Sequence, residues 1–231
     1  MERVIPREGS RPVFLEHIAR YEFALPLVEG ARVLDVACGS GYGSYEMANR
    51  GRAAMVVGVD ISQSAIEYCC SHYQAKNLEF IKGDATSLEF PDDSFDTVVS
   101  FETIEHLADI EGYLDEIYRV TKPGGACLVS TPNKRLSFAN PFHTVEFSHC
   151  RFSKTMSSRF SDVRFFGQDH LPITGRLVLE VSVKVSRKIP EGLKRAVFPE
   201  RLRTDDDARE IGGFIDSNVS GCRFFLALCR K

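Results

Sequence analysis

One stretch constrains this chain more than any other: Arg32-Val33-Leu34-Asp35-Val36-Ala37-Cys38-Gly39-Ser40-Gly41-Tyr42-Gly43. Val33, Leu34 and Val36 form a short apolar run around one acid, Asp35. Glycines follow at alternate positions, Gly39, Gly41 and Gly43, and then Ser44 to Arg50 reads as a helix. Strand, glycine turn and helix begin a nucleotide-binding βαβ unit. The glycines let the backbone bend and let a ligand lie against it. The helix N-terminus offers unpaired amides.

The rest of the chain repeats this alternation. Met55 to Asp60 is a near-continuous apolar run, which suits a parallel strand buried on both faces. Ser62 is placed to cap a helix over about 63–74. Strands follow at 77–82 and 95–101, a helix at about 110–120, and a fifth strand at 126–130 after the sharp turn Lys122-Pro123-Gly124-Gly125. This order predicts an α/β, doubly wound, Rossmann-like sheet sandwiched between helices. Right-handed crossovers bring the strand ends to one edge, where Asp35, Asp60, Asp84, Glu102 and Thr131 fall.

Before the first strand, a helix from Pro12 has Phe14, Ile18 and Tyr21 on one face, and Pro26 ends it. Two readings stay open for it: a packing helix, or a lid that brings His17, Arg20 or Tyr21 to a ligand. After Thr131 the texture changes. A short helix at 153–160 and strands at 163–167, 178–186 and 222–229 are expected, the last strands as an antiparallel pair at the sheet edge. The segment from about 175 to 209 carries a basic run, which suits either phosphate recognition or a solvated face. Residues 1–11 read as loose, and 204–210 as an acidic, solvent-facing stretch.

Composition sets limits. The chain has 231 residues and is 43% hydrophobic, enough for one domain with a full core. The boundaries expected are a lid helix at 12–30, a ligand-binding core at 31–133, and a C-terminal half at 134–231. A net charge of -3 argues against nucleic acid as partner. Seven cysteines, none in CxxC spacing, read as reduced thiols of a cytoplasmic protein. No apolar run is long enough for membrane insertion. A monomer or homodimer acting on a small molecule is expected.

Val33 to Gly41 resembles the first motif of the class I S-adenosylmethionine-dependent methyltransferases. Val57-Gly58-Val59-Asp60-Ile61-Ser62 resembles their second, Gly83-Asp84-Ala85 and Phe90 to Asp96 their third and fourth, and Arg119 to Gly125 the turn before their fifth strand. The resemblance covers about residues 30–133. It implies a seven-stranded sheet, mostly parallel with an antiparallel C-terminal pair, and S-adenosylmethionine as cofactor with S-adenosylhomocysteine as product. It places the cofactor against Ala37, Gly39 and Gly41, with Asp60 at the ribose hydroxyls, Ile61 at the adenine, Asp84 and Ala85 at the adenine amino group, and Ser100 and Phe101 below the sulfonium. Asp35 suits the ammonium of a phosphate-free ligand. A dehydrogenase is the nearest rival, but its fingerprint is G-x-G-x-x-G, and Asp35 would serve a pyrophosphate poorly. The lid reading adds Tyr21.

A second cluster concerns the acceptor. On a helical face Glu102, Glu105 and His106 converge, and His143-x-x-Glu146 follows the fifth strand. This arrangement resembles the metal site of small-RNA 3′-terminal 2′-O-methyltransferases, and its first half that of quinone-biosynthesis O-methyltransferases. Glu102, Glu105, His106 and His143 would then hold Mg²⁺, Mn²⁺ or Zn²⁺. Without metal, Glu102 touches the cofactor, the others bond locally, and His143 or His106 is the base. The function expected is methyl transfer to an oxygen or nitrogen of a small polar acceptor, such as a sugar, a glycan precursor or a natural-product intermediate. The alternatives are a metal-assisted RNA 2′-O-methyltransferase and a non-catalytic binder of S-adenosylmethionine.

Overall fold

The computed structural model describes residues 11–136, 140–168, 214–215, 220 and 222–231. One sheet runs through them. Its strands are β1 (Arg32–Val36), β2 (Met55–Asp60), β3 (Leu78–Lys82), β4 (Phe95–Phe101), β5 (Thr121–Pro132), β6 (Asp162–Gln168), β7 (Phe214–Ile215) and β8 (Phe224–Arg230). The order is β3-β2-β1-β4-β5-β8-β6-β7. The pairs β1–β2, β1–β4, β2–β3 and β4–β5 are parallel, and β8 runs antiparallel to both β5 and β6. The expected seven-stranded, mostly parallel sheet is present, extended by the two-residue β7. β8 and β6 form the expected antiparallel pair at that end of the sheet, with β8 between β5 and β6.

The two faces follow from alternation along each strand. Val33, Val56, Val99, Leu128 and Leu226 face one layer, and Leu34, Val57, Val98, Cys127 and Phe225 face the other. The first layer receives α1 (Arg11–Ala24) through Ile18, Ala19 and Phe23, and α2 (Tyr42–Asn49) through Met47 and Ala48. The second receives α4 (Ile110–Val120) through Tyr113, Leu114 and Ile117, and α5 (His149–Ser157) through Phe152 and Met156. Each fully buried Leu, Ile, Phe or Met among them contributes roughly 1.5–3 kcal/mol by leaving water. Asp109 caps α4 by accepting from the Gly112 amide at 2.9 Å.

Two local expectations are corrected. Ser62 precedes α3 (Gln63–His72), but its side chain caps nothing; it bonds Ser64 at 3.1 Å. The Lys122–Gly125 turn is absorbed into β5 as an irregularity, where the register jumps from Phe95↔Thr121 to Thr97↔Ala126. The expectations for residues 1–10, the strand at 178–186, and the basic and acidic runs between about 175 and 210 lie outside the described residues.

The α1–α2 contact depends on one missing side chain. A Cβ at Gly43 would meet the Tyr21 ring at 2.0–2.3 Å. Gly43→Ala is expected to lower stability by about 1–3 kcal/mol through overpacking. In urea unfolding, the double variant with Tyr21→Ala should cost no more than Tyr21→Ala alone. Equal unfolding midpoints for wild type and Gly43→Ala would count against this packing.

Candidate active site

A cavity of about 380 Å³ opens at the C-terminal ends of β1, β2 and β4, roofed by α1 and by the chain leaving β5. The sheet order reverses there, since β1 is followed by β2 on one side and β4 lies on the other. Ligands bind at such a switch point because the diverging connections leave a crevice.

One half of the wall is the glycine turn with the ends of β2 and β3. Gly39 adopts φ +57°, and a Cβ added there would meet nothing within 4 Å. Its backbone faces open space and a ligand can lie on it. Gly41, at φ +75°, is required for a different reason: a Cβ would meet Cys69 Sγ at 2.6 Å. Gly41 therefore packs inward and does not line the cavity. Asp60 accepts the Gly39 amide at 3.0 Å and the Ser62 amide at 2.9 Å, which fixes its carboxylate at the wall. Asp84 accepts both the amide and hydroxyl of Thr86 at 2.8 Å. Ile61 is 49% exposed at the rim, an apolar face for a flat ligand, and Ala85 lies beside it.

Asp35 stands elsewhere than expected. It is buried behind the wall, where it accepts Ser44 Oγ at 2.6 Å and Tyr21 OH at 3.3 Å. Tyr21 lies between it and the cavity, packed edge-on to Tyr42 and Phe101. Burial pushes the Asp35 carboxyl up to about 7, against the bonds from Ser44 and Tyr21, and the nearby Asp60 charge adds to the rise. Tyr21, Ala37, Gly39, Asp60, Ile61, Asp84, Ala85, Phe101 and Glu102 share the cavity; Asp35 and Gly41 shape it from behind.

The other half of the wall is rich in titratable groups. Glu102, at φ +55°, turns the chain sharply out of β4 before the short 3₁₀ turn Ile104–His106. The expected helical face through Glu102 therefore does not form. Glu102 is drawn to β5, where Oε1 accepts Ser130 Oγ at 2.7 Å, and Oε2 lies 3.8 Å from Arg20. Ligand atoms of Glu105, His106 and His143 lie within 4.8 Å of one another, and Glu102 is outside that group. The loop carrying His143 is tied down by its own backbone, since the amides of Thr144 and Val145 donate to the Glu105 carbonyl at 2.8 and 3.0 Å. Glu105 is buried; burial first and the Glu102 charge second raise its pKa well above the carboxylate range.

The two imidazoles are held alike. His106 Nδ1 lies 2.9 Å from the Phe142 carbonyl, and His143 Nδ1 lies 2.8 Å from Glu146 Oε1. A carbonyl and a carboxylate only accept, so each Nδ1 donates, and the lone pair of the neutral imidazole then falls on Nε2. His17 also lines the cavity; burial, then the Arg20 charge, holds its imidazole well below the ordinary value and so neutral. Sequence reasoning missed Arg223, Phe224, Asn140 and Pro132 on this side. The apolar run Phe224 to Cys229 marked the last strand, and nothing local marked its first residues as a wall.

The Asp35 carboxyl makes stability depend on pH. Its folded value lies above the unfolded 3.8, so folding favours the neutral form. That contribution is complete below about pH 4 and is lost as pH rises through about 7, a span of roughly 4 kcal/mol. Thermal melts of the ligand-free protein from pH 5 to 8 should show this decline, and Asp35→Asn should flatten it. An unchanged slope in Asp35→Asn would refute the assignment.

A family defined by its methyltransferase domain matches residues 27–166. The chain is 33% identical over 165 residues to a probable S-adenosylmethionine-dependent methyltransferase of Mycolicibacterium smegmatis, covering 68% of this chain and 62% of that one. It is 38% identical over 108 residues to a fatty-acid O-methyltransferase of the same organism, covering 47% of this chain and 39% of that one. It thus spans less than two thirds of either relative. A solved methyltransferase from Archaeoglobus fulgidus shares the fold at TM-score 0.63 and 19% identity, over 96% of this chain and 95% of that chain. The domain match over residues 27–166, the identity to that first relative and the sheet order together show that the chain belongs to the class I S-adenosylmethionine-dependent methyltransferases.

Proposed function

We propose that this chain transfers a methyl group from S-adenosylmethionine to an oxygen of a small acceptor with a polar reacting end. The observation that carries this reading is the pair of imidazoles, each with Nδ1 engaged by an acceptor so that Nε2 is the ring nitrogen not so engaged, on the wall opposite the glycine turn. A hydroxyl must lose its proton as it attacks, whereas a neutral amine already offers a lone pair, so a fixed base favours oxygen over nitrogen. Named relatives include a fatty-acid O-methyltransferase and a phthiotriol/phenolphthiotriol dimycocerosates methyltransferase, which supports a lipid's polar end as well as a sugar, a glycan precursor or a natural-product intermediate.

The residues fit the cofactor. Gly39 leaves room at the turn, Asp60 suits paired hydroxyls, Ile61 and Ala85 suit a flat base, and among the described residues the wall near Gly39 carries no cationic side chain that a phosphate would call for. The cofactor supplies a methyl already activated on a sulfonium. The protein's part is then to align the acceptor, exclude water and take up its proton. Tyr21 and Phe101 close the cavity between its two halves, Asp84 and Asp60 hold the nucleoside end, and His143, oriented by Glu146, receives the proton with His106 beside it.

A metal-assisted version is the second reading. Glu105, His106 and His143 converge, and both imidazoles donate Nδ1–H to oxygen, as metal-ligating histidines do. Two imidazoles and one carboxylate suit Zn²⁺ or Mn²⁺ better than Mg²⁺. Glu105 would have to lose its proton first. RNA as acceptor gains nothing from a net charge of -3.

Calorimetry with S-adenosylhomocysteine, with and without EDTA, Mn²⁺ and Zn²⁺, tests both readings. Binding is expected, with a loss of at least about tenfold in Asp60→Ala. No binding in wild type would sink the methyltransferase reading. His143→Ala should keep S-adenosylhomocysteine binding yet lose about 10²-fold or more of labelled methyl transfer to a panel of phenols, sugars and fatty acids. Metal-dependent transfer abolished by EDTA would replace the imidazole base with the metal.

A further inference from the structure

Two thiols meet under the glycine turn, and the proposed chemistry uses neither. Cys38 follows β1 and lines the cavity. Cys69 belongs to α3 and is buried behind the turn. Cys69 Sγ donates to the Gly39 carbonyl at 3.3 Å, and a Cβ at Gly41 would stand 2.6 Å from the same sulfur. That sulfur therefore lies directly beneath residues 39–41. The Cys38 thiol is hydrogen-bonded to Cys69, and the two side chains pack in one small cluster with Ile66 and Phe80. Both are free thiols.

Two thiols in contact join as a disulfide only if an oxidant reaches one of them. Here Cys38 is the one reached. It is on the cavity wall at 4% exposure, whereas Cys69 has none. Cys127 and Cys229 also stand opposite each other, across β5 and β8, but they lie in the core with no path from the cavity wall. The bond to Cys69 first and burial second hold the Cys38 thiol well above its ordinary range. It rests protonated and reacts slowly, so sustained oxidant is needed to convert it. A ligand lying on Gly39 covers this entry, since Cys38, Gly39 and Ser40 form one stretch of wall.

We propose that Cys38 and Cys69 are a redox switch on cofactor binding: peroxide entering the empty cavity joins them in a disulfide, and the disulfide loosens the grip of the glycine turn on its ligand. This rests on the cavity binding S-adenosylmethionine as argued above. The Cys38 sulfur attacks hydrogen peroxide; an S–O bond forms, the O–O bond breaks, and water leaves with the thiol proton. The Cys69 sulfur then attacks that of Cys38; the S–S bond forms, the S–O bond breaks, and hydroxide takes the Cys69 proton and leaves as water. Two thiols give up two electrons, and one peroxide becomes two waters. The Cys69 S–H is consumed, so the Gly39 carbonyl loses its donor. The amide of Gly39 donates to Asp60 at 3.0 Å, so a shift of this residue disturbs both the backbone under the ligand and the carboxylate beside it.

The test uses Cys70→Ala/Cys150→Ala protein, which lacks the two exposed thiols and keeps the cavity wall intact. Ligand-free protein is treated with hydrogen peroxide, digested without reductant and mapped by mass spectrometry. A Cys38–Cys69 cross-link is expected, and S-adenosylhomocysteine at about ten times its Kd should slow its formation about tenfold. In calorimetry the cross-linked protein should bind S-adenosylhomocysteine at least about tenfold more weakly than the reduced protein, with recovery in dithiothreitol. Adding Cys69→Ser should leave binding by the reduced protein intact and abolish the reversible loss. Should that variant fail to fold, the mapping and the recovery in protein with both thiols still decide. The switch alone is overturned if no Cys38–Cys69 cross-link forms, if it forms equally fast with ligand bound, if the cross-linked protein binds as the reduced one does, or if Cys69→Ser keeps the reversible loss. No binding of S-adenosylhomocysteine to the reduced protein overturns the cofactor reading as well.

Discussion

The Asp35 carboxylate ties together the three elements on which the site rests. It belongs to β1, accepts Ser44 of α2, and accepts Tyr21 of α1. Tyr21 in turn fills the space that Gly43 leaves open and meets Phe101 at the end of β4. Removing the acid would leave Ser44 and Tyr21 with unpaired buried hydroxyls, which is expensive inside a dry core. The carboxyl itself is held near neutrality by burial.

Around that joint the cavity is chemically divided. The half built by the glycine turn and the ends of β2 and β3 offers backbone, two carboxylates and apolar cover. The half built by the ends of β4 and β5 and the start of β8 gathers Glu102, Glu105, His106, His143 and Arg223. Two residues other than glycine adopt left-handed backbone at this rim, Ala37 after β1 and Glu102 at the end of β4, with φ +59° and +55°. Such conformations cost about 1–3 kcal/mol each and persist where the surroundings hold them. Here they turn the chain abruptly out of neighbouring strands and so open the crevice between them.

α1 joins the two readings that its sequence left open. It packs, through Ile18, Ala19, Phe23 and Ala24, and it also contributes His17 and Tyr21 to the wall and Arg20 behind it. A helix that is part of the core and part of the site couples ligand contacts to stability, because the same turn of helix serves both.

The doubly wound architecture and the residues brought to the cavity at the ends of β1, β2 and β3 were legible because they depend on short-range pattern. Apolar runs mark buried strands, and an acid or glycine at a strand end falls on the same edge in every parallel crossover. Asp60, Ile61, Asp84 and Gly39 needed nothing more. The half built by the ends of β4 and β5 and the start of β8 was only partly legible, because it depends on contacts between distant segments. Glu102 looked like a member of a helical cluster until its positive φ sent it to Ser130 and Arg20. His143 reaches His106 because two amides of its loop bond one carbonyl, an arrangement without sequence periodicity. Phe224 and Arg223 reach the cavity because β8 is inserted between β5 and β6, and Arg20 finds Gln168 across 148 residues of chain. Local chemistry determined the cofactor class and the layers; tertiary closure alone decided which side chains meet at the ends of β4, β5 and β8, since hydrogen bonds between remote segments leave no local trace.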